Sequence, residues 1–262
     1  MALVATVSLL ASTFLYTLSR NRPRLAFAGR AAAALGAIML AAVLVMRSVR
    51  IGFPALTGTY EGLLFAVLVL AGTVAMGEKV VFRDNRHLLG ASAFVAFLVM
   101  AILSSPVVSA DLHPPLPILR SGWLVVHVAF AFVGLALFTV GAVAAAAGVV
   151  SIRRSRSKRS TPVPADRVRD TSIAIGFVFY ATGGLVFGAI WAEAAWGRFW
   201  GWDPKETWAL VTTLVYAVYL HLRYMRNVSP AVYRVLALIA WVLAIFTFFG
   251  VNYLMSGLHS YA

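Results

Sequence analysis

The sequence predicts an all-α, polytopic integral membrane protein with about eight transmembrane helices and both termini outside. Three observations carry this expectation. Of 262 residues, 61% are apolar and 12% charged, whereas soluble globular domains are nearer half apolar and a quarter charged. The apolar residues fall in long blocks, at about 2–19, 25–46, 53–76, 88–109, 122–152, 171–191, 206–225 and 230–257. Each block reaches or approaches the ~20 residues that cross ~30 Å of hydrocarbon at ~1.5 Å per residue. The basic residues, finally, concentrate in alternate connections between the blocks, which is a topology signal.

The first block lacks a basic leading region, and its positive charge follows the apolar run. It therefore reads as a true helix rather than a secretory signal. One set of connections carries Arg20, Arg22 and Arg24, then Lys79, Arg83 and Arg86. The same set continues with Arg153, Arg154, Arg156, Lys158, Arg159, Arg167 and Arg169, and ends with Arg223, Arg226 and Arg234. The other set carries Arg47, Arg50, Arg120, Arg198 and Lys205. The excess of positive charge marks the cytoplasmic side and puts the segments 47–53, 110–121 and 192–205 outside. The basic stretch 153–169 contains Ser and Pro without an apolar period, so it reads as a flexible cytoplasmic loop lying on anionic lipid headgroups. Ala- and Gly-rich runs at 31–42 and 141–148 suit close helix packing in lipid. A single transmembrane domain over 1–262 accommodates all of this.

The net charge of +13 is thus spent on orientation, and nucleic-acid binding is not expected. Cysteine is absent, which excludes disulfides, thiolate metal sites and a cysteine nucleophile within this chain. Any thiol chemistry has to come from a partner or a substrate.

The chemistry concentrates in Trp191 to Trp208, WAEAAWGRFWGWDPKETW, which holds five of the seven tryptophans as well as Phe199. One reading is an interfacial aromatic belt. Belt residues, however, scatter over many helix ends, and these are packed into one outer segment. The alternative is a platform for a large, flat, apolar ligand, whose covered surface gains about 25 cal/mol per Å². If the segment is locally helical, Trp196 and Trp200 share a face and Phe199 and Trp202 form a neighbouring pair. Asp203-Pro204-Lys205-Glu206 reads as a helix start, with Asp203 as N-cap, Pro204 at the first position and Glu206 bonding back.

Here the sequence resembles a known family. WGRFWGWDPKETWAL is similar to the tryptophan-rich "WWD" signature of the cytochrome c assembly family, and its DPKETWAL ending resembles the CcsA (ResC) type. The segments GFPALTGTYEGLLF (52–65), LRSGWLVVHVAFAFVGLALF (119–138) and GVNYLMSGLHSYA (250–262) resemble the same type. Gly62 departs from it, since relatives often carry Ser after the Tyr-Glu pair.

Five histidines are present: His87, His113, His127, His221 and His259. The predicted topology puts His127 and His259 at the level of the tryptophan segment, where two imidazoles beside a flat platform suit axial ligation of haem iron. The resemblance implies the same pair. His113 competes for the outer site on depth but lacks the motif context. His221 lies about 14 residues into the seventh helix, roughly 21 Å deeper, and the resemblance implies an inner haem site there. His87 reads as an interfacial residue.

The resemblance further implies haem b as the ligand, bound by His127, His259 and His221 at the iron. It implies Trp191, Trp196, Phe199, Trp200, Trp202, Asp203 and Trp208 around the ring. Tyr60 and Glu61 are expected near the haem chamber, with Glu61 paired to Arg50 or Arg198. The implied partners are a CcsB-type membrane subunit, the CxxCH segment of an apocytochrome c, a thiol-reducing protein and membrane lipid. The implied activity is presentation of haem for covalent attachment, as a synthase acting only with the CcsB-type subunit. Delivery of haem to a chaperone, in the CcmC manner, and HemX-like regulation of haem synthesis are the alternatives. A transporter or structural subunit with an aromatic belt is the reading from another class.

Overall fold

The computed structural model describes residues 1–19, 22–82, 85–106, 108–112, 114–154, 164–225, 228–255 and 257. They form eight long helical rods and, among the described residues, no strand. The rods are α1 Ala2–Leu18, α2 Pro23–Ile51, α3 Thr59–Met76, α4 Arg86–Leu103, α5 Gly122–Arg154, α6 over 164–196, α7 Pro204–Met225 and α8 Pro230–Leu254. Six of them, α2 to α6 and α8, are long and apolar enough to cross a membrane. The rod α1 is apolar but shorter, and α7 carries more polar residues along its buried side, among them Thr212 and Thr213.

The starts of the rods follow from local chemistry. Pro23, Pro204 and Pro230 stand at first helical positions, where the missing N–H costs nothing. The Asn85 side chain accepts from the Leu88 N–H at 3.3 Å and caps α4.

The chain forms two compact units, 1–125 and 126–262. In the first, α1 packs on α2 and α4, and α3 packs on α2 and α4. Tyr16 of α1 is fully buried and lies against Gly29 of α2 and Gly90 of α4. Ser12 donates to the Gly29 carbonyl at 2.9 Å. Arg47, near the end of α2, donates through Nε to Glu61 Oε1 at 2.9 Å and through Nη1 to the Ala110 carbonyl at 3.0 Å. Its guanidinium also sits over the Tyr60 ring, 4.7 Å from the centroid. The partner of Glu61 is therefore Arg47. Arg50 or Arg198 was expected, but α2 runs on to Ile51, and its 3.6-residue turn brings position 47, not 50, to face the start of α3.

In the second unit the apolar runs understate the helices. The expected loop 153–169 is largely helix at its described ends. Residues 153 and 154 close α5, and α6 begins at Pro164; positions 155–163 lie outside the described residues. The apolar reading stopped at Asp166, Arg167, Arg169 and Asp170 because charge breaks hydropathy. Arg167 is exposed, but Asp166, Arg169 and Asp170 pair instead of facing solvent. Asp166 accepts from Arg169 Nη1 at 2.7 Å and from Arg234 Nε at 2.9 Å. Asp170 accepts from Arg169 Nε at 2.9 Å and from Arg223 Nε at 2.6 Å. The Tyr219 hydroxyl accepts from Arg169 Nε at 2.7 Å and donates to Asp170 at 2.5 Å. Arg169 and Arg234 are 1% and 2% exposed, so two arginines assigned to cytoplasmic connections lie inside a polar clasp joining α6, α7 and α8.

Removing one member of such a clasp strands the opposite charge in a dry setting. Asp166→Asn leaves Arg169 and Arg234 without their shared carboxylate and is expected to cost about 3–5 kcal/mol. Thermal unfolding of the purified chain in detergent measures this, and a melting temperature equal to wild type would contradict it.

Candidate functional site

Three rods meet α5 around an open cleft in the second unit. His127 and Ala131 of α5 form one wall, and Tyr180, Gly184, Gly188 and Trp191 of α6 another. Trp200, Lys205, Glu206 and Ala209 close it from the tryptophan segment and α7, with Thr247 and Phe248 from α8.

His127 owes its setting to an irregularity in α6. Over Thr182–Phe187 the helix widens into a π-helical turn, in which the Gly188 N–H bonds the Gly183 carbonyl five positions back. The Gly183 carbonyl lies 2.8 Å from His127 Nδ1. A carbonyl only accepts, so Nδ1 carries the proton and Nε2 keeps its lone pair for a ligand. Close approach requires glycine at two positions. A Cβ at Gly183 would come 2.7 Å from the Ala131 backbone nitrogen, and one at Gly188 would come 3.1 Å from His127 Nδ1. The imidazole is held between them. Its other neighbour is Trp191, stacked at 6.0 Å with 15° between planes and buried.

The aromatic segment divides into separate pairs. α6 ends at Trp196, and Gly197 at φ 70° turns the chain away. Trp196 and Trp200 consequently do not lie on one helix face, as the helical reading of the segment required. Trp196 meets Trp191 edge-on at 4.8 Å, and Trp200 meets Trp202 edge-on at 5.8 Å. Trp191 and Trp200 line the cleft. Phe199 and Trp202 are 61% and 69% exposed, and Trp202 takes a left-handed φ of 56°, costly for a bulky side chain. Trp208 packs edge-on against Phe246 at 4.7 Å, and its carbonyl accepts from Thr247 at 3.2 Å.

The helix start follows its local pattern. Asp203 Oδ1 accepts from the Lys205 N–H at 3.0 Å, and Glu206 Oε2 accepts from Asp203 N–H at 3.2 Å and Gly201 N–H at 2.8 Å. This reciprocal capping fixes the segment 201–203 to α7. Asp203 is buried and lies next to Gly257 at the far end of α8.

The remaining expected residues lie elsewhere on α7, in the first unit, or outside the described residues. His221 stands on an exposed face of α7, 17 positions after Pro204, or about 25 Å along the helix. His87 is exposed at the start of α4. Tyr60 and Glu61 belong to the first unit, with Glu61 held by Arg47. His259 and His113 lie outside the described residues. Sequence reasoning missed Tyr180, Lys205, Thr247 and Phe248 as cleft residues. Thr247 sits in a second π-helical turn, Phe246–Gly250, and shares a hydrogen bond with Thr212 at 2.9 Å. A usable signal was present in the Gly183-Gly184 pair and in Thr247, both interruptions of otherwise apolar runs.

A family model described as cytochrome c assembly protein matches residues 1–259. The chain belongs to the cytochrome c assembly protein family. It is 31% identical over 261 residues to a cytochrome c biogenesis protein CcsA of Guillardia theta, covering 90% of this chain and 85% of that protein. It is 33% identical over 263 residues to a CcsA of Parasynechococcus marenigrum, covering 87% and 84%. It also matches Protein NrfI of Wolinella succinogenes at 33% over 226 residues, 84% of this chain but 24% of that longer protein. With its apolar rods, this cytochrome c assembly protein is an integral membrane protein. The resemblance carried by the tryptophan segment at the sequence level thus agrees with the family assignment.

The capping residues of this cytochrome c assembly protein offer a clean measurement. Asp203→Ala and Glu206→Ala each remove hydrogen bonds to free N–H groups at the start of α7. Each is expected to cost about 1 kcal/mol and to raise proteolytic nicking within 197–203 several-fold relative to wild type. Unchanged cleavage rates would show that the segment is held by other means.

Proposed function

We propose that this chain binds haem b at the cleft of the second unit and presents it for covalent attachment to apocytochrome c, acting with a CcsB-type membrane subunit. The observation that carries the reading is His127. Its Nδ1 is committed to the Gly183 carbonyl within a π-helical turn, and its Nε2 is left as a neutral ligand beside stacked Trp191. The cleft around it is lined by Gly, Ala and aromatic surface, which suits a flat apolar macrocycle. Relatives named cytochrome c biogenesis protein CcsA support the biological direction.

His259 is the proposed second axial ligand on the outer side, following two residues after Gly257, which lies against Asp203. Both termini and the tryptophan segment are proposed to face the outside, in keeping with the concentration of basic residues in the opposite connections. His221, exposed on α7, is proposed to serve an inner site completed by the partner subunit. Tyr60 and Glu61 are proposed to shape the haem chamber through the Arg47 tie. In the attachment step the residues of the cleft hold the substrate and orient it toward the CxxCH thiols of the acceptor, without acid–base work of their own. A thiol-reducing protein is the proposed source of the free thiols, because this chain has no cysteine.

The test is direct. The chain purified with its membrane partner is expected to carry haem with a two-imidazole spectrum. His127→Ala and His259→Ala should each lower haem content and cytochrome c yield at least about tenfold, the scale expected when a site loses one metal ligand. Added imidazole should restore part of the yield. Wild-type haem content, spectrum and yield in both variants would overturn the reading. Normal haem release with no attached cytochrome would favour delivery to a separate carrier.

A further inference from the structure

The cleft contains one feature that a purely apolar platform does not need. Lys205, at the second position of α7, turns its side chain along the cleft wall beside Trp200, Glu206 and Thr247. Its ammonium donates to Asn252 Oδ1 of α8 at 2.9 Å. An ammonium has three N–H donors, and this bond uses one. The neighbouring carboxylates are engaged elsewhere. Asp203 Oδ1 accepts from the Lys205 backbone N–H, and Glu206 Oε2 accepts two backbone N–H groups. Among the described residues no carboxylate oxygen comes within ion-pair distance of Lys205 Nζ. The half-buried cation is therefore steered by a neutral amide.

A cation held this way is costly unless a counter-charge arrives. Among the described residues of the second unit, the buried arginines have carboxylate partners: Arg169 and Arg234 both bond Asp166. Asn252 is suited to the contrast, because its oxygen orients the ammonium while the Asp203 carboxylate acts on it only from beyond ion-pair distance, which leaves N–H donors for a ligand. His127, on the α5 wall, and Lys205, at the start of α7, then offer two different attachments within one cleft: a nitrogen for a metal and a cation for an anionic substituent.

We propose that Lys205, oriented by Asn252, binds a carboxylate of the ligand in this cleft. Resting on the haem reading above, that carboxylate is a propionate. A flat ring ligated at His127 alone can rotate about the metal–nitrogen axis. Fixing one acidic edge at Lys205 selects one rotation and directs the opposite edge, which bears the vinyl groups, away from α7. Lys205 is on this account a specificity residue: it chooses which edge of the ring is offered to the incoming thiols. The alternative occupant of a lone cation at a helix start, a small inorganic anion, does not require the neighbouring apolar cleft.

The experiment compares two probes on the purified full chain in detergent: haem b and its propionate dimethyl ester, which keeps the ring, iron and vinyl groups but has no carboxylate. Wild type should bind haem b about tenfold more tightly than the ester, the scale of one hydrogen bond to a charged group. Lys205→Gln keeps a donor for Asn252 but no charge, and should bind the two within about twofold of each other. Lys205→Arg keeps the charge and should retain the preference. Equal affinity for both probes in wild type overturns the inference, as does a preference that survives in Lys205→Gln. Loss of both probes alike in Lys205→Gln also overturns it, since that result assigns the residue a structural role. If wild type takes up neither probe, the haem reading itself fails, which is distinct from binding without discrimination.

Discussion

The hydrogen bond between His127 and the Gly183 carbonyl is the constraint around which the second unit is arranged. A regular α-helix offers no free carbonyl in mid-span, because each is used by the residue four positions on. In the wide turn at Thr182–Phe187 the Gly183 carbonyl accepts from the Gly188 N–H five positions on and also meets an imidazole from a different helix. A carbonyl oxygen has two lone pairs, so the turn's own bond and the His127 contact share one acceptor, and that contact fixes the imidazole tautomer. Glycine at 183 and 188 is what lets the helices come close enough for it. A second wide turn, Phe246–Gly250, lies on α8. There Thr247 donates back to the Leu243 carbonyl at 2.9 Å while touching Thr212. Both distortions border the same cleft, which is where wide turns tend to be kept in proteins.

At the other end of these rods the physics is different. Asp166, Arg169, Asp170, Tyr219, Arg223 and Arg234 form a mutually bonded set across α6, α7 and α8. Buried ion pairs add little net stability when compared with apolar packing of equal volume. Their strength is directional: charges that must all be satisfied allow one relative height and rotation of three helices. One end of the unit is thereby pinned by charge, while the other is opened by glycine, alanine and wide turns. A helix pair clasped at one end can carry an open cleft at the other without sliding in register.

What could be read from the sequence, and what could not, follows the range of each interaction. The capping box at 203–206 was legible because all its partners lie within five residues of each other. The apolar rods were legible for the same reason, since hydropathy is summed locally. His127 was legible only through its motif context. The start of α6 was not legible, because Asp166 and Arg169 resemble a solvated loop until Arg234, 68 residues away, is brought beside them. The partner of Glu61 was misjudged within the correct connection, since a helix continuing past Arg47 changes which arginine faces α3. The cleft residues Tyr180 and Thr247 were hidden because polar atoms in apolar helices carry no address. Lys205 was counted as a topology charge when its ammonium in fact meets Asn252, 47 residues on.

On the proposed function the site gives its ligand away, a requirement that a permanent cofactor site lacks, and the tryptophan segment is consistent with it. Phe199 and Trp202 remain largely exposed although the cleft is a few residues away at Trp200. Trp202 holds a left-handed backbone angle that an L-residue of its size adopts at a cost of about 1–3 kcal/mol. The reciprocal cap of Asp203 and Glu206 over-determines the neighbouring backbone and so sustains that angle. Closing these rings over the cleft would bury more apolar surface and tighten binding, but it would also seal off the edge that an acceptor has to reach. Leaving them splayed keeps one side of the site open to a second macromolecule. On the proposed function the grip would come from a few directional contacts, the imidazole of His127 foremost, each exchangeable for an equivalent contact offered by the acceptor.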